Sequence, residues 1–209
     1  MYKMEIACIG WGSLIWNPGS LLIHRQWFMD GPFLPIEFAR KSSDGRLTLV
    51  ITPDAKPLRT LWALMATKDL DEAKNSLRIR EGIPERNLDK HIGFVTKKET
   101  IKEVESRVQK LAEKRKWVKA ENWITVRKWI KLFDFDAAIW TNLPPKFFNE
   151  NENLEDGIIP TIDQVTEYLR ERDINTFKTA EEYVRKTPKQ IDTVFRRKFE
   201  AEFGWTSIE

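Results

Sequence analysis

The first third of the chain places its apolar residues in short runs and alternating patterns that are typical of strands. Residues 5–9 form one such run, which stops at Gly10, Trp11, Gly12 and Ser13. Glycine permits backbone angles that other residues resist, so the chain is predicted to turn there. Successive backbone N–H groups in such a turn form a nest that binds a carboxylate or a phosphate, and Ser13 adds a hydroxyl group.

Two further runs, residues 33–41 and 46–52, alternate apolar and other residues on either side of Asp44-Gly45. Asp-Gly between alternating runs predicts a β-hairpin. Residues 58–67 are predicted to add a third strand to the same sheet. The early part of the chain is therefore predicted to form a mostly antiparallel sheet.

A helix is predicted over residues 70–81. Asp69 is a good N-cap residue with Glu72 three positions later, and Gly82 ends the segment two residues before a proline. Because each helical residue advances by about 100° around the axis, Glu81 falls in the middle of the apolar stripe.

Glu81 is the candidate catalytic residue, because a carboxylate on an apolar face needs a reason to be there. Burial disfavours the anion and the carbonyl groups of the last helical turn repel it, so both effects raise the pKa of Glu81. A carboxyl group with a raised pKa is suited to take up a proton and return it within one cycle. Pairing with Arg78 or Arg80 would oppose the shift. The alternative interpretation is that Glu81 lies at the helix end in contact with water.

The second half of the chain is predicted to be mostly helical. Residues 99–116 and 123–133 carry apolar residues at helical spacing, and a strand over residues 135–141 is predicted to follow them. Residues 149–156 are polar and acidic and are predicted to form a mobile loop. The last helix is predicted to begin at Thr187, which has proline next and glutamine three positions later, as in a capping box.

These elements predict an α+β fold in a single domain, residues 1–209, with a helical C-terminal extension over about residues 160–209. A chain of 209 residues that is 41% hydrophobic can bury one substantial core. Early hairpin strands and later helices favour a mostly antiparallel or barrel-like sheet over a doubly wound fold.

Charge and composition argue against several classes of protein. The 35 basic and 32 acidic side chains nearly cancel, which is not typical of nucleic-acid binding. No run approaches the roughly 18 apolar residues of a membrane span, and a signal peptide is not expected. Cys8 is the single cysteine and is predicted to be a small core residue. We expect a cytoplasmic protein that binds neither nucleic acid nor membrane.

Other kinds of site lack the residues that they need. The glycine loop has neither the Gly-Lys-Ser/Thr ending of a P-loop nor the third glycine of the dinucleotide fingerprint. His24 and His91 are the only histidines and neither has a partner at ligand spacing, so no metal site is predicted. Ser13 as a nucleophile would need a base beside it, which the sequence does not offer, so Ser13 is assigned to binding.

The string from Gly10 to Trp16 resembles the substrate loop of the gamma-glutamylcyclotransferase superfamily, ChaC proteins included, where a similar Gly-Tyr-Gly-Ser-Leu-Ile-Trp string begins the domain. Residues 71–73, Arg80 and Glu81 are similar to the family segment whose glutamate is the general acid/base. The C-terminal half resembles a bacterial branch of the superfamily. This resemblance implies a small mixed, barrel-like sheet flanked by helices.

The resemblance also implies an activity. Members cyclise a gamma-glutamyl amine or peptide to 5-oxoproline and release the amine, without a metal or a cofactor. The glutamate, here Glu81, takes a proton from the alpha-amine, which then attacks the gamma-carbonyl carbon. The loop holds the glutamyl group, and in this chain it consists of Gly10, Trp11, Gly12, Ser13 and Leu14.

One departure bears on this expectation. Trp11 stands where the family usually has tyrosine, and an indole N–H cannot supply a phenolic hydroxyl group. Arg40 is a further candidate for contacting the substrate. Two alternatives stay open, a noncatalytic binder of a carboxylate-bearing metabolite and a protein-interaction module that uses exposed tryptophans. The leaving amine and the oligomeric state are also open.

Overall fold

The computed structural model describes residues 4–208, which form an α+β fold with seven α-helices and two mixed sheets. The strands are β1 (Ile6–Gly10), β2 (Phe33–Lys41), β3 (Leu47–Ile51), β4 (Pro57–Arg59), β5 (Leu61–Leu64), β6 (Ile92–Thr96), β7 (Ala137–Thr141), β8 (Lys146–Phe148) and β9 (Leu154–Asp156). The helices are α1 (Leu70–Arg80), α2 (Leu88–His91), α3 (Ile101–Ala112), α4 (Ala120–Leu132), α5 (Ile162–Arg170), α6 (Ile174–Lys186) and α7 (Val194–Phe203).

The first sheet has the strand order β5-β1-β7-β6, and the second has β3-β2-β8-β9 with β4 also paired to β2. Strands β1 and β7 are parallel, whereas β5 and β6 run antiparallel to their neighbours. Every residue of β1 is buried, because side chains from its two faces enter two different apolar clusters. The first sheet is therefore covered on both sides, by α1 on one and by the second sheet with α3 and α4 on the other.

The barrel-like sheet predicted from the sequence is wrong, because neither sheet closes. The predicted third strand of the hairpin sheet is instead two strands, of which β4 pairs with β2 and β5 pairs with β1. The chain passes from one sheet to the other at Thr60, whose N–H and hydroxyl groups both donate to the Pro32 carbonyl oxygen. The Thr60 N–H is therefore not available for pairing with a neighbouring strand, and the strand is interrupted there.

Helix α1 begins where the sequence predicted and has the predicted buried face, but it ends at Arg80, one residue earlier than predicted. The Asp69 carboxylate accepts a hydrogen bond from the Glu72 N–H at 2.8 Å, and Gly82 follows the helix with φ +63°. Ala73 and Leu77 are fully buried against the first sheet. Glu81 is the C-cap residue, so its side chain leaves from the last turn.

The C-terminal region is helical, but its last helix does not begin at the predicted Thr187. That hydroxyl group donates to the Tyr183 carbonyl oxygen at the end of α6, and the Gln190 amide donates to carbonyl groups of residues 29, 59 and 60. The N-cap of α7 is Thr193, which accepts from the Arg196 N–H. Both members of the expected capping box are therefore engaged elsewhere.

One other prediction needs correction. The predicted loop over residues 149–156 contains strand β9, which pairs with β8 to form a short hairpin.

The tryptophans of the second half leave little indole surface for a partner protein. Trp123, Trp129 and Trp205 are all less than 10% exposed, and Trp117 is partly buried. Cys8 is fully buried, as predicted. Among residues 4–208, no helix combines the length and the apolar character needed to cross a membrane.

A close contact between β6 and β7 gives a first prediction. A Cβ atom at Gly93 would lie 2.2 Å from Cε2 of Trp140, so Gly93→Ala should lower the free energy of unfolding by about 1–3 kcal/mol through overpacking. Urea denaturation measures the change. The loss should be smaller in a Trp140→Leu background, because Leu has no ring atoms at the position of the contacting indole atoms. An equal loss in both backgrounds would contradict the contact.

Candidate functional site

A cavity of about 740 Å³ opens at the carboxyl ends of the parallel strands β1 and β7. Gly12, Ser13 and Leu14 line it, and so do Glu81 and Thr141. Strand β1 leads into the glycine loop, β7 ends at Thr141, and α1 ends just before Glu81. Three chain segments that are distant in sequence therefore meet at one cavity of metabolite size.

The Glu81 side chain is only 15% exposed, so the interpretation that it lies in open water is wrong. Burial raises the pKa of Glu81, which is the direction that the sequence predicted. The positive charge of Arg80 opposes the rise most, and the Thr141 hydroxyl and Arg40 oppose it as well. The Thr141 hydroxyl lies close to the carboxyl group, but no hydrogen bond of ordinary geometry within residues 4–208 engages it.

Arg80 connects the acid to the glycine loop. One guanidinium nitrogen, Nη1, donates to Oε1 of Glu81 at 2.7 Å. The other, Nη2, donates to Oγ of Ser13 at 3.0 Å and to the carbonyl oxygen of Asn17 at 2.7 Å. Arg78, the other candidate counterion, points away and donates to the Ile83 carbonyl oxygen. Arg80 therefore fixes the distance between the two elements that the sequence singled out.

The glycines of the loop are required for space and not for backbone angle. The φ angles of Gly10 and Gly12 are not positive, in contrast to the prediction. A Cβ atom at Gly10 would lie 2.9 Å from the Trp27 ring, and one at Gly12 would lie 2.4 Å from Oη of Tyr183. Both glycines thus allow a large aromatic side chain to pack directly on the loop.

Trp11 faces the cavity but is itself 5% exposed. Its indole N–H donates to the Leu49 carbonyl oxygen on β3 at 3.2 Å. The indole therefore ties the loop to the β2–β3 hairpin, and its donor is already engaged within the protein.

Arg40 lines the same cavity as Glu81 and has a partner on the β8–β9 side. Its Nη1 donates to the Pro144 carbonyl oxygen at 2.9 Å and lies 3.6 Å from Oδ1 of Asp156. Glu81 is the one acidic residue in the cavity lining within the described chain. The basic residues of that lining are Arg40, Lys41, Arg46, Arg80 and Lys146. This excess of positive charge favours a ligand that carries a carboxylate or another anionic group.

Sequence reasoning missed several lining residues because they come from segments without a motif. His91 is the last residue of α2, and burial lowers the pKa of its imidazole below the ordinary value. Tyr183 comes from α6 and reaches the glycine loop. Tyr183 lies on the buried face of α6, and burial alone does not indicate which cavity a side chain reaches. The described residues contain no group of three or more acidic, histidine or cysteine side chains that could hold a metal ion.

Comparisons with protein-family models, with curated proteins and with solved structures found no match to this chain. The likeness to gamma-glutamylcyclotransferases therefore rests on the residues from Gly10 to Trp16 and on Glu81.

The raised pKa of Glu81 predicts how stability depends on pH. Because the folded-state value lies above the ordinary 4.5, the folded state favours the protonated acid, and that advantage is lost as pH rises through the folded-state pKa. Glu81→Gln stays neutral. Its free energy of unfolding relative to the native protein should therefore increase as pH rises from below 4.5, and then level off.

Glu103 provides a control of opposite sign. Hydrogen bonds from Thr100 lower the pKa of the exposed Glu103, so Glu103→Gln should lose stability relative to the native protein as pH rises. Chemical denaturation at a series of pH values measures both trends. A Glu81→Gln curve parallel to that of the native protein would contradict the raised pKa.

The contact between Gly12 and Tyr183 gives a separate prediction. Gly12→Ala should lower the free energy of unfolding by about 1–3 kcal/mol, because the methyl group overlaps the phenolic oxygen. The loss should be smaller in a Tyr183→Phe background, which removes that oxygen. A double-mutant cycle measured by urea denaturation gives the coupling, and strictly additive losses would contradict the contact.

Proposed function

We propose that this chain is a gamma-glutamylcyclotransferase-like enzyme, which cyclises a gamma-glutamyl amine or peptide to 5-oxoproline and releases the amine. The main support is the cavity of about 740 Å³, which is lined both by the buried Glu81 and by the loop residues Gly12, Ser13 and Leu14. An acid in one place and a loop that binds the glutamyl group in another are the two parts that this reaction requires.

The charges of the cavity suit the proposed substrate. The alpha-carboxylate of a gamma-glutamyl compound is an anion, and Arg40 and Arg80 supply positive charge beside Glu81. Holding the alpha-carboxylate there leaves the neighbouring alpha-amine close to the Glu81 carboxylate. An intramolecular attack of this kind gains most from orientation and from a positioned proton acceptor.

In this scheme Glu81 accepts one proton and gives one back, so it ends the cycle in its starting state. Glu81 takes a proton from the alpha-amine as its nitrogen bonds to the gamma-carbon. The bond from that carbon to the departing amine then breaks, and Glu81 returns the proton to the departing nitrogen. The raised pKa of Glu81 supports both steps, because a carboxyl group closer to neutrality is both a better acceptor and a usable donor.

The direct test is release of 5-oxoproline by the purified protein from a panel of gamma-glutamyl amino acids, peptides and amines. Glu81→Gln should lower kcat by about 10²–10⁴-fold, the usual contribution of a general acid/base. The amide keeps the shape of the side chain but cannot carry the proton.

Glu72→Gln is the matched control, because Glu72 lies on the exposed side of the same helix. It should keep the native kcat. A panel without turnover by the native protein would refute the proposal, and so would full activity of Glu81→Gln.

A noncatalytic binder is the second candidate, and one contact favours it. The Arg80 guanidinium group already bonds to the Glu81 carboxylate, which lowers its affinity for a proton. A binder would show a higher thermal unfolding temperature with gamma-glutamyl compounds but would form no 5-oxoproline.

A further inference from the structure

Tyr183 occupies a fixed position between the glycine loop and the cavity. It is 6% exposed and lines the cavity beside Gly12 and Ser13. Its ring meets Trp16 edge-on at a centroid distance of 5.3 Å and Phe38 at 6.2 Å. These contacts leave the buried ring little freedom, so the hydroxyl group is held in one place.

The phenolic oxygen receives donors from the protein backbone. It would lie 2.4 Å from a Cβ atom at Gly12, which puts it directly on the substrate loop. The Leu49 N–H donates to it over a long 3.5 Å, and the Ser13 N–H also points toward it. Donors on a hydroxyl oxygen polarise its O–H bond and strengthen it as a donor in turn.

The hydroxyl proton is left for a ligand. Among residues 4–208, the phenol takes part in hydrogen bonds as the acceptor. Burial raises the pKa of Tyr183 to about 12, and the Glu81 carboxylate adds to the rise. The phenol is therefore protonated at neutral pH, so it acts as a donor and not as a base. Tyr183 and Glu81 both line the cavity.

The substrate has one oxygen that suits such a donor. Its alpha-carboxylate is charged throughout and is best met by guanidinium groups. The gamma-carbonyl oxygen becomes negative only when the amine nitrogen bonds to the gamma-carbon and the C=O electron pair moves onto oxygen. A neutral, fixed and buried donor stabilises charge that develops in this way without binding the ground state tightly.

We propose that Tyr183 is a further catalytic residue, whose hydroxyl group donates a hydrogen bond to the gamma-carbonyl oxygen of the substrate as negative charge develops there. This rests on the proposed function. The phenol keeps its proton throughout. When the C=O bond re-forms, the bond to the departing amine breaks and that amine takes its proton from Glu81.

The test compares Tyr183→Phe with the native protein on a gamma-glutamyl compound that the native protein turns over. We expect kcat to fall by about 10²–10³-fold, as on removal of an oxyanion donor, with KM little changed. Tyr168→Phe is the matched control. Its hydroxyl donates to the Gly45 carbonyl oxygen at 2.6 Å on the same hairpin and does not line the cavity, so kcat should stay native.

The outcomes separate the two proposals. A native protein without turnover on any panel compound overturns the proposed function and this inference with it. An active native protein with an undiminished kcat in Tyr183→Phe overturns the inference alone. A higher KM at native kcat also overturns it, because the hydroxyl would then bind a group that is charged before the reaction.

A second variant covers the case in which Tyr183→Phe does not fold. Replacing Tyr183 with 3-fluorotyrosine keeps the ring and makes the phenol more acidic, hence a stronger donor. A raised kcat at a pH where the phenol stays protonated supports the inference, and an unchanged kcat overturns it.

Discussion

The structure of the site depends on removing the Glu81 carboxyl group from water. An isolated buried carboxylate is strongly unfavourable, and it becomes tolerable only when a counterion and hydrogen bonds surround it. Arg80 is that counterion, and the Ser13 hydroxyl and the Asn17 carbonyl group accept from its other terminal nitrogen, Nη2. Because every one of these partners has to be in place, the end of α1 and the loop after β1 are fixed relative to each other.

Burial and charge act on this carboxyl group in opposite directions. Desolvation raises the pKa of Glu81, and Arg80 lowers it, with burial the stronger effect. The Arg80–Glu81 ion pair would have a different role in each of the two proposed functions. A substrate carboxylate that engages Arg80 would free Glu81 to accept a proton, whereas an intact pair would leave a cavity that binds anions without reacting. The two proposed functions thus differ in which anion Arg80 would contact.

Packing around the loop shows a second constraint. Glycine at positions 10 and 12 lets Trp27 and Tyr183 approach the main chain. The Trp11 indole N–H donates its hydrogen bond to the β2–β3 hairpin. Trp11 and Tyr183 are therefore closely packed where they line the cavity. Under the role proposed for Tyr183, such packing would hold its hydroxyl group in place without further cost on ligand binding.

Local patterns predicted the elements whose determinants lie within a few residues. The caps and periodicity of α1, the alternation in β2 and β3 and the burial of Glu81 all follow from short-range rules. Two predictions failed because of partners that are distant in sequence. Thr60 divides a predicted strand because it bonds to Pro32, and Gln190 does not complete a capping box because its amide donates to carbonyl groups of residues 29, 59 and 60.

The sequence by itself determined that an acid sits on the apolar face of a helix end and that a glycine-rich turn follows the first strand. It could not determine that the Arg80 guanidinium group bonds to both the acid and the turn. Nor could it determine that Arg40 and Lys146 line the same cavity, or that the Tyr183 hydroxyl group packs against Gly12. Those contacts join residues from separate strands and helices, and only tertiary packing brings such segments together. The sequence shows glycine at positions 10 and 12, but only the folded structure shows that an aromatic side chain packs against each of them and leaves no space for a Cβ atom.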